Sequence, residues 1–156
     1  MTISIEPAVC HRYELQIKIE ADREQVWKAL MEDINCWLLT DFYAVGNDSV
    51  IELDTKPGGR GLLESSPGGS WLLWYAVQMF LPDQLAIYLV GHIAPAWGGP
   101  TVSSLKMMVE ETANGSIFHL TDARHGRINE TALQSYQDGW ARLFNDGLKK
   151  YVEQSS

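Results

Sequence analysis

Tyr13-Glu14-Leu15-Gln16-Ile17-Lys18-Ile19-Glu20, followed at once by Ala21-Asp22-Arg23-Glu24-Gln25-Val26-Trp27-Lys28-Ala29-Leu30, sets the architecture of this chain. In the first half Tyr13, Leu15, Ile17 and Ile19 alternate with polar residues, the period of a half-buried strand. The alternation stops at Ala21-Asp22. From there Val26, Trp27, Leu30, Ile34 and Trp37 recur at helical spacing, and Asp22 with Glu24 and Gln25 supplies a start signal. The spacing predicts a helix from Asp22 to about Leu39, with a break near Asp33-Ile34. A strand running straight into a helix is the first half of the architecture.

Beyond Phe42 the period returns to two. Asn47-Asp48 marks a turn or bulge before a strand over Val50–Leu53, and Lys56-Pro57-Gly58-Gly59 closes a hairpin, since glycine supplies positive φ. Gly61–Ser65 is a short strand ended by Pro67-Gly68-Gly69. Trp71–Phe80 and Leu85–Ile93 form an antiparallel pair around Pro82-Asp83. A loop over Pro95–Pro100 holds Trp97, and Thr101–Glu111 with Ser116–Ala123 flank a turn at Asn114-Gly115. The last segment is helical: Leu133, Tyr136, Trp140, Leu143, Phe144, Leu148 and Tyr151 share one face, Asn129 or Thr131 caps the start, and Lys149-Lys150 suit the end. Gly139 and Gly147 inside this helix predict either close packing or space left for something else.

The expected fold is α+β: a curved seven-stranded antiparallel sheet wrapped around one long C-terminal helix, with one or two short helices after the first strand. With 156 residues, no repeat and no linker, one domain is expected, ordered from about 13 to 153. Twelve Lys and Arg against twenty Asp and Glu give a net charge of −8. Such a surface repels phosphate backbones and anionic lipid, so neither nucleic acid nor membrane is an expected partner. No apolar run approaches the roughly 18 residues a span needs. Met1–Pro7 lacks a basic start, so no secretory leader is expected and the location is cytoplasmic. Cys10 and Cys36 are too few for a disulfide framework or a thiolate metal site.

The order and spacing of these elements resemble the START-like (helix-grip, SRPBCC) superfamily. Within it the chain is similar to the AHSA-like family, named for the C-terminal domain of the heat-shock-protein-ninety ATPase activator. The resemblance rests on Ala21–Leu30 with its Val26-Trp27 pair, on Trp37 after that helix, and on Val77, Phe80, Pro82 and Leu85 around a strand turn. Gly139-Trp140 and Leu148-Lys149-Lys150-Tyr151-Val152 match the closing helix. The family's Gly-Thr pair before the last strand is Gly115-Ser116 here. The resemblance implies the helix-grip fold and a gap between sheet and helix where a ligand sits. The eukaryotic activator engages its chaperone largely through a separate N-terminal domain with no counterpart in these residues, so a chaperone partner is the weaker expectation.

Few residues offer chemistry. His11, His92, His119 and His125 sit at no metal-ligand spacing, and alternation sends His119 outward if Phe118 and Leu120 face the core. There is no Gly-x-Ser-x-Gly elbow, and Pro67-Gly68-Gly69-Ser70 lies between strands rather than before a helix. No catalytic residue, metal or cofactor is assigned. The aromatics remain. The candidate ligand-binding set is Trp37, Trp71, Tyr75, Leu89, Trp97, Leu105, Met107, Phe118, Leu120, Tyr136 and Trp140, with Tyr75, Tyr136 and Trp140 as its polar members. Such stripes are also what fills a solid core.

A module binding an apolar or aromatic small molecule is therefore expected ahead of an enzyme of the cyclase, aromatase or lyase type found among START-like proteins. Those reactions need a positioned acid or base, for which the sequence offers chiefly Tyr75, Tyr136 and His92. Leu72, Trp74 and Ala76, with Tyr88 and Val90, are expected on the convex side as an apolar patch that forms a homodimer.

Overall fold

β1 (Val9–Ile19) passes within a few residues into α1 (Arg23–Glu32), as the change of period requires. The computed structural model describes residues 1–155. Gln25 Oε1 accepts the Asp22 backbone N–H at 3.2 Å, tying down the first turn of α1. Asp33 interrupts the helix, and α2 (Ile34–Trp37) carries its apolar face onward. There follow β2 (Val50–Asp54), β3 (Gly61–Ser65), β4 (Trp71–Leu81), β5 (Ala86–Ile93), β6 (Thr101–Thr112) and β7 (Gly115–Gly126). The seven strands pair in the order β1-β7-β6-β5-β4-β3-β2, every neighbour antiparallel.

The C-terminal helix is α3 (Glu130–Arg142), a wider π-helical stretch (Leu143–Lys149) and α4 (Lys150–Gln154). Asn129 caps it, its side-chain oxygen accepting the Ala132 N–H at 2.7 Å. The helix packs on the inner face of the sheet. Phe144 is the centre of that contact, with ring centroids 4.4 Å from Phe118, 5.8 Å from Trp37 and 5.7 Å from Trp140. Both short helices lie on the same face, since Leu30, Ile34 and Trp37 meet the cavity that Tyr75 and Leu89 also line. No helix among the described residues is long and apolar enough to cross a membrane.

The strand register corrects one expectation. Leu62 pairs with Tyr75 but Leu63 pairs with Leu73, so Trp74 is an extra residue in β4. A bulge of this kind puts the two ends of a strand out of phase. Unbroken alternation would set Trp71 and Tyr75 on one face and Trp74 on the other. Instead Trp71 pairs with Ser65 on the outer face, 61% exposed, with the Arg60 guanidinium 5.4 Å above its ring. Trp74 turns inward beside Tyr75. Leu72 pairs with the fully buried Glu64, so it too leaves the outer patch in which it was expected.

Candidate functional site

The inner face of the sheet and the C-terminal helix do not meet along their whole length. Between them lies a cavity of about 400 Å³. Its sheet wall is Tyr75, Leu89, Leu105 and Met107; Tyr136, Gly139, Trp140, Leu143 and Phe144 form its helix wall. The short-helix region adds Leu30, Ile34 and Trp37, and β2 and β3 add Ile51, Leu53 and Leu62. Trp97 stands at the rim, 51% exposed, its ring 5.9 Å from that of Trp74. The walls are almost entirely apolar, the usual lining of a small-molecule site of this volume.

The two helix glycines divide the roles expected of them. A Cβ on Gly147 would lie 2.6 Å from the Trp37 carbonyl oxygen, so glycine here permits close packing onto α2. A Cβ on Gly139 would meet nothing within 4 Å, and Gly139 borders the cavity. One glycine draws the helix in, and the other leaves space.

One end of the inner face is polar. Asp122 on β7 is fully buried and its carboxylate accepts four hydrogen bonds. Tyr13 donates at 2.5 Å, Ser103 at 2.7 Å, Arg124 Nε at 2.7 Å and Trp140 Nε1 at 3.3 Å. Tyr75 in turn bonds Ser103 Oγ at 2.8 Å, and the Arg124 guanidinium lies 3.8 Å from the Tyr136 ring centroid. Burial pushes the Tyr75 hydroxyl up to about 12, and burial with the Asp122 contact pushes Tyr13 above its ordinary value. Burial works against the Arg124 charge, but the Asp122 carboxylate outweighs it and holds the guanidinium above its usual value.

Of the residues proposed from sequence, Trp37, Tyr75, Leu89, Trp97, Leu105, Met107, Tyr136 and Trp140 border the cavity. Trp71 does not, because the bulge turns it outward. Phe118 and Leu120 are fully buried, but they lie in the solid part of the core away from the cavity wall. His119 lies outward, its Nε2 2.7 Å from Glu110 Oε2, while His92 borders the cavity. Sequence reasoning missed Asp122, Ser103, Arg124 and Trp74. The expected strand ends at Ala123, short of Arg124, whereas β7 runs on to Gly126. The signal for Asp122 and Arg124 was the alternation Phe118, Leu120, Asp122, Arg124, which runs on to the end of β7.

No protein-family model and no curated protein matches the chain. Solved structures do. An AHSA1-like protein from Aeromonas hydrophila is 14% identical, with 93% of this chain and 94% of that one aligned at a TM-score of 0.61. The allergen Ara h 8.0201 is 14% identical over 92% of this chain and 98% of that one, at 0.63. A norcoclaurine synthase from Thalictrum flavum, solved as a point mutant with a transition-state analogue, is 14% identical over 97% of this chain and all of that one (100%), at 0.58. These likenesses span almost every element from β1 to α4. The chain has the helix-grip fold of the START-like proteins.

Proposed function

We propose that the protein is a binding module that holds an apolar or aromatic small molecule between its sheet and its C-terminal helix. The observation that carries this reading is the cavity of about 400 Å³ with apolar walls on both sides. Interiors normally pack without voids larger than a water molecule, and a space this large costs stability unless something fills it. Trp37, Tyr75, Leu89, Trp97, Leu105, Met107, Tyr136 and Trp140 are the proposed contact residues. Because Trp37, Trp74, Trp97 and Trp140 surround the cavity, intrinsic fluorescence reports its occupation. Titration with neutral aromatic compounds should change that emission saturably. Emission unmoved by any of them contradicts the reading.

An enzyme of START-like type is the alternative, and His92 on the cavity wall is the observation in its favour. The other groups serve it poorly. Tyr75 at about 12 is a weak acid at neutral pH, and the Asp122 carboxylate is already engaged by four donors. A chaperone-directed role draws no support from the cavity.

A further inference from the structure

Arg124 borders the cavity with its hydrogen bonding incomplete. The residue is 5% exposed. Its Nε–H is matched by Asp122 at 2.7 Å, and its flat face rests on Tyr136. Its Nη1, however, is buried with no partner among the described residues. A guanidinium does not deprotonate in proteins, and a buried donor left unmatched is costly. Native structures rarely keep one without a reason.

The surrounding groups are already committed. Ser103 donates to Asp122 Oδ1, so in the Ser103–Tyr75 contact the Tyr75 hydroxyl is the donor. The protons thus run Tyr75 to Ser103 to Asp122, and none is left over. Gly91 fixes this arrangement: it pairs directly with Ser103, which pairs with Arg124, and a Cβ on Gly91 would lie 2.9 Å from Tyr75 Cε1. Nothing in this polar end supplies an acceptor for Nη1. A ligand would have to.

We propose that the ligand of this cavity is an amphipathic carboxylic acid whose carboxylate accepts from Arg124 Nη1 while its apolar or aromatic body lies against the sheet and helix walls. This rests on the binding reading above and adds the chemical class. Charge-assisted bonds to guanidinium are the strong ones, and a dry surround strengthens them. Asp122 neutralises one unit of charge beside Arg124, so a monoanion suits the site better than a phosphate dianion.

The test is calorimetric titration of the whole chain at neutral pH with 2-naphthoate and with its methyl ester. The acid should bind roughly tenfold tighter or more, the range a charged hydrogen bond supports. In the Asp122→Asn/Arg124→Gln double variant, which neutralises both members of the pair together, the two compounds should bind alike. Equal or tighter binding of the ester to the wild type overturns the inference and leaves the binding reading standing. Failure of both compounds to bind overturns both. An acid preference that survives in the double variant places the carboxylate elsewhere and also overturns it. Should that variant not fold, a crystal structure of the wild type with 2-naphthoate decides: a carboxylate oxygen within hydrogen-bond reach of Arg124 Nη1 supports the assignment, and one turned to the Trp97 rim overturns it.

Discussion

Glu64 on β3 is a carboxylate that is fully buried. Its carboxylate accepts the Ala44 N–H at 2.9 Å, the Val45 N–H at 2.6 Å and the Trp74 indole N–H at 3.0 Å. It therefore pins the segment after α2 and holds the bulged Trp74 inward. Burial alone would raise its pKa, but the donors outweigh burial and the net displacement is below the ordinary 4.5. A depressed folded pKa means stability that is present above the unfolded value and lost as pH falls through the folded one. Glu64→Gln should lower unfolding stability at pH 7 by about 1–3 kcal/mol, the cost of setting an amide NH2 among buried donors. As pH falls through the depressed folded value the wild type comes to carry a neutral carboxyl too, so the gap should close. Urea midpoints measured across that range check this. A gap constant with pH contradicts it.

Among the elements, the C-terminal helix carries the sharpest contrast. Gly139→Ala adds a methyl group where nothing lies within 4 Å, so it should gain helix propensity of up to about 1 kcal/mol. Gly147→Ala gains the same propensity but drives its Cβ against the backbone oxygen and ring of Trp37, at 2.6 and 3.2 Å. Overpacking of that kind costs about 1–3 kcal/mol, so the net effect should be a loss. Thermal unfolding should separate the two by opposite shifts. Shifts of one sign would mean that the helix stands elsewhere over the sheet.

The elements themselves were legible because each follows from a local period: two for β1, between three and four for α1, and the same for the broad face of α3. The wall of the cavity was most legible where that period ran unbroken, as for Leu89, Leu105 and Met107. Trp71 and Trp74 exchanged faces because a single extra residue in β4 resets the phase, and no composition signal marks it. Asp122 and Arg124 were hidden differently. Each looks like an ordinary surface charge, and only the pairing of β6 with β7 brings Ser103 and the ion pair to one spot.

For the whole molecule, the bulge also changes the outer surface on which self-association is expected. The outer apolar surface is not built on Trp74 and Leu72. It includes Trp71 at 61%, Val50 at 48% and Met79 at 42% exposure, with Ala76 beside Val90. Association through this face, expected from the patch argument, predicts that Trp71→Glu shifts sedimentation toward the monomer with the fold intact. A wild type that already sediments as a monomer at high concentration removes that expectation. Trp74→Glu would not test this interface, since it would break the indole bond to Glu64.

The central claim is that the space between sheet and helix takes up a ligand. Calorimetric titration of 2-naphthol into the wild type and into Gly139→Phe tests it most directly, because Gly139 borders the cavity and a Cβ there meets nothing within 4 Å. The wild type should bind one molecule with a negative heat-capacity change, the mark of apolar burial, and Gly139→Phe should stay folded and bind none. No binding to the wild type, or undiminished binding to Gly139→Phe, would contradict the account.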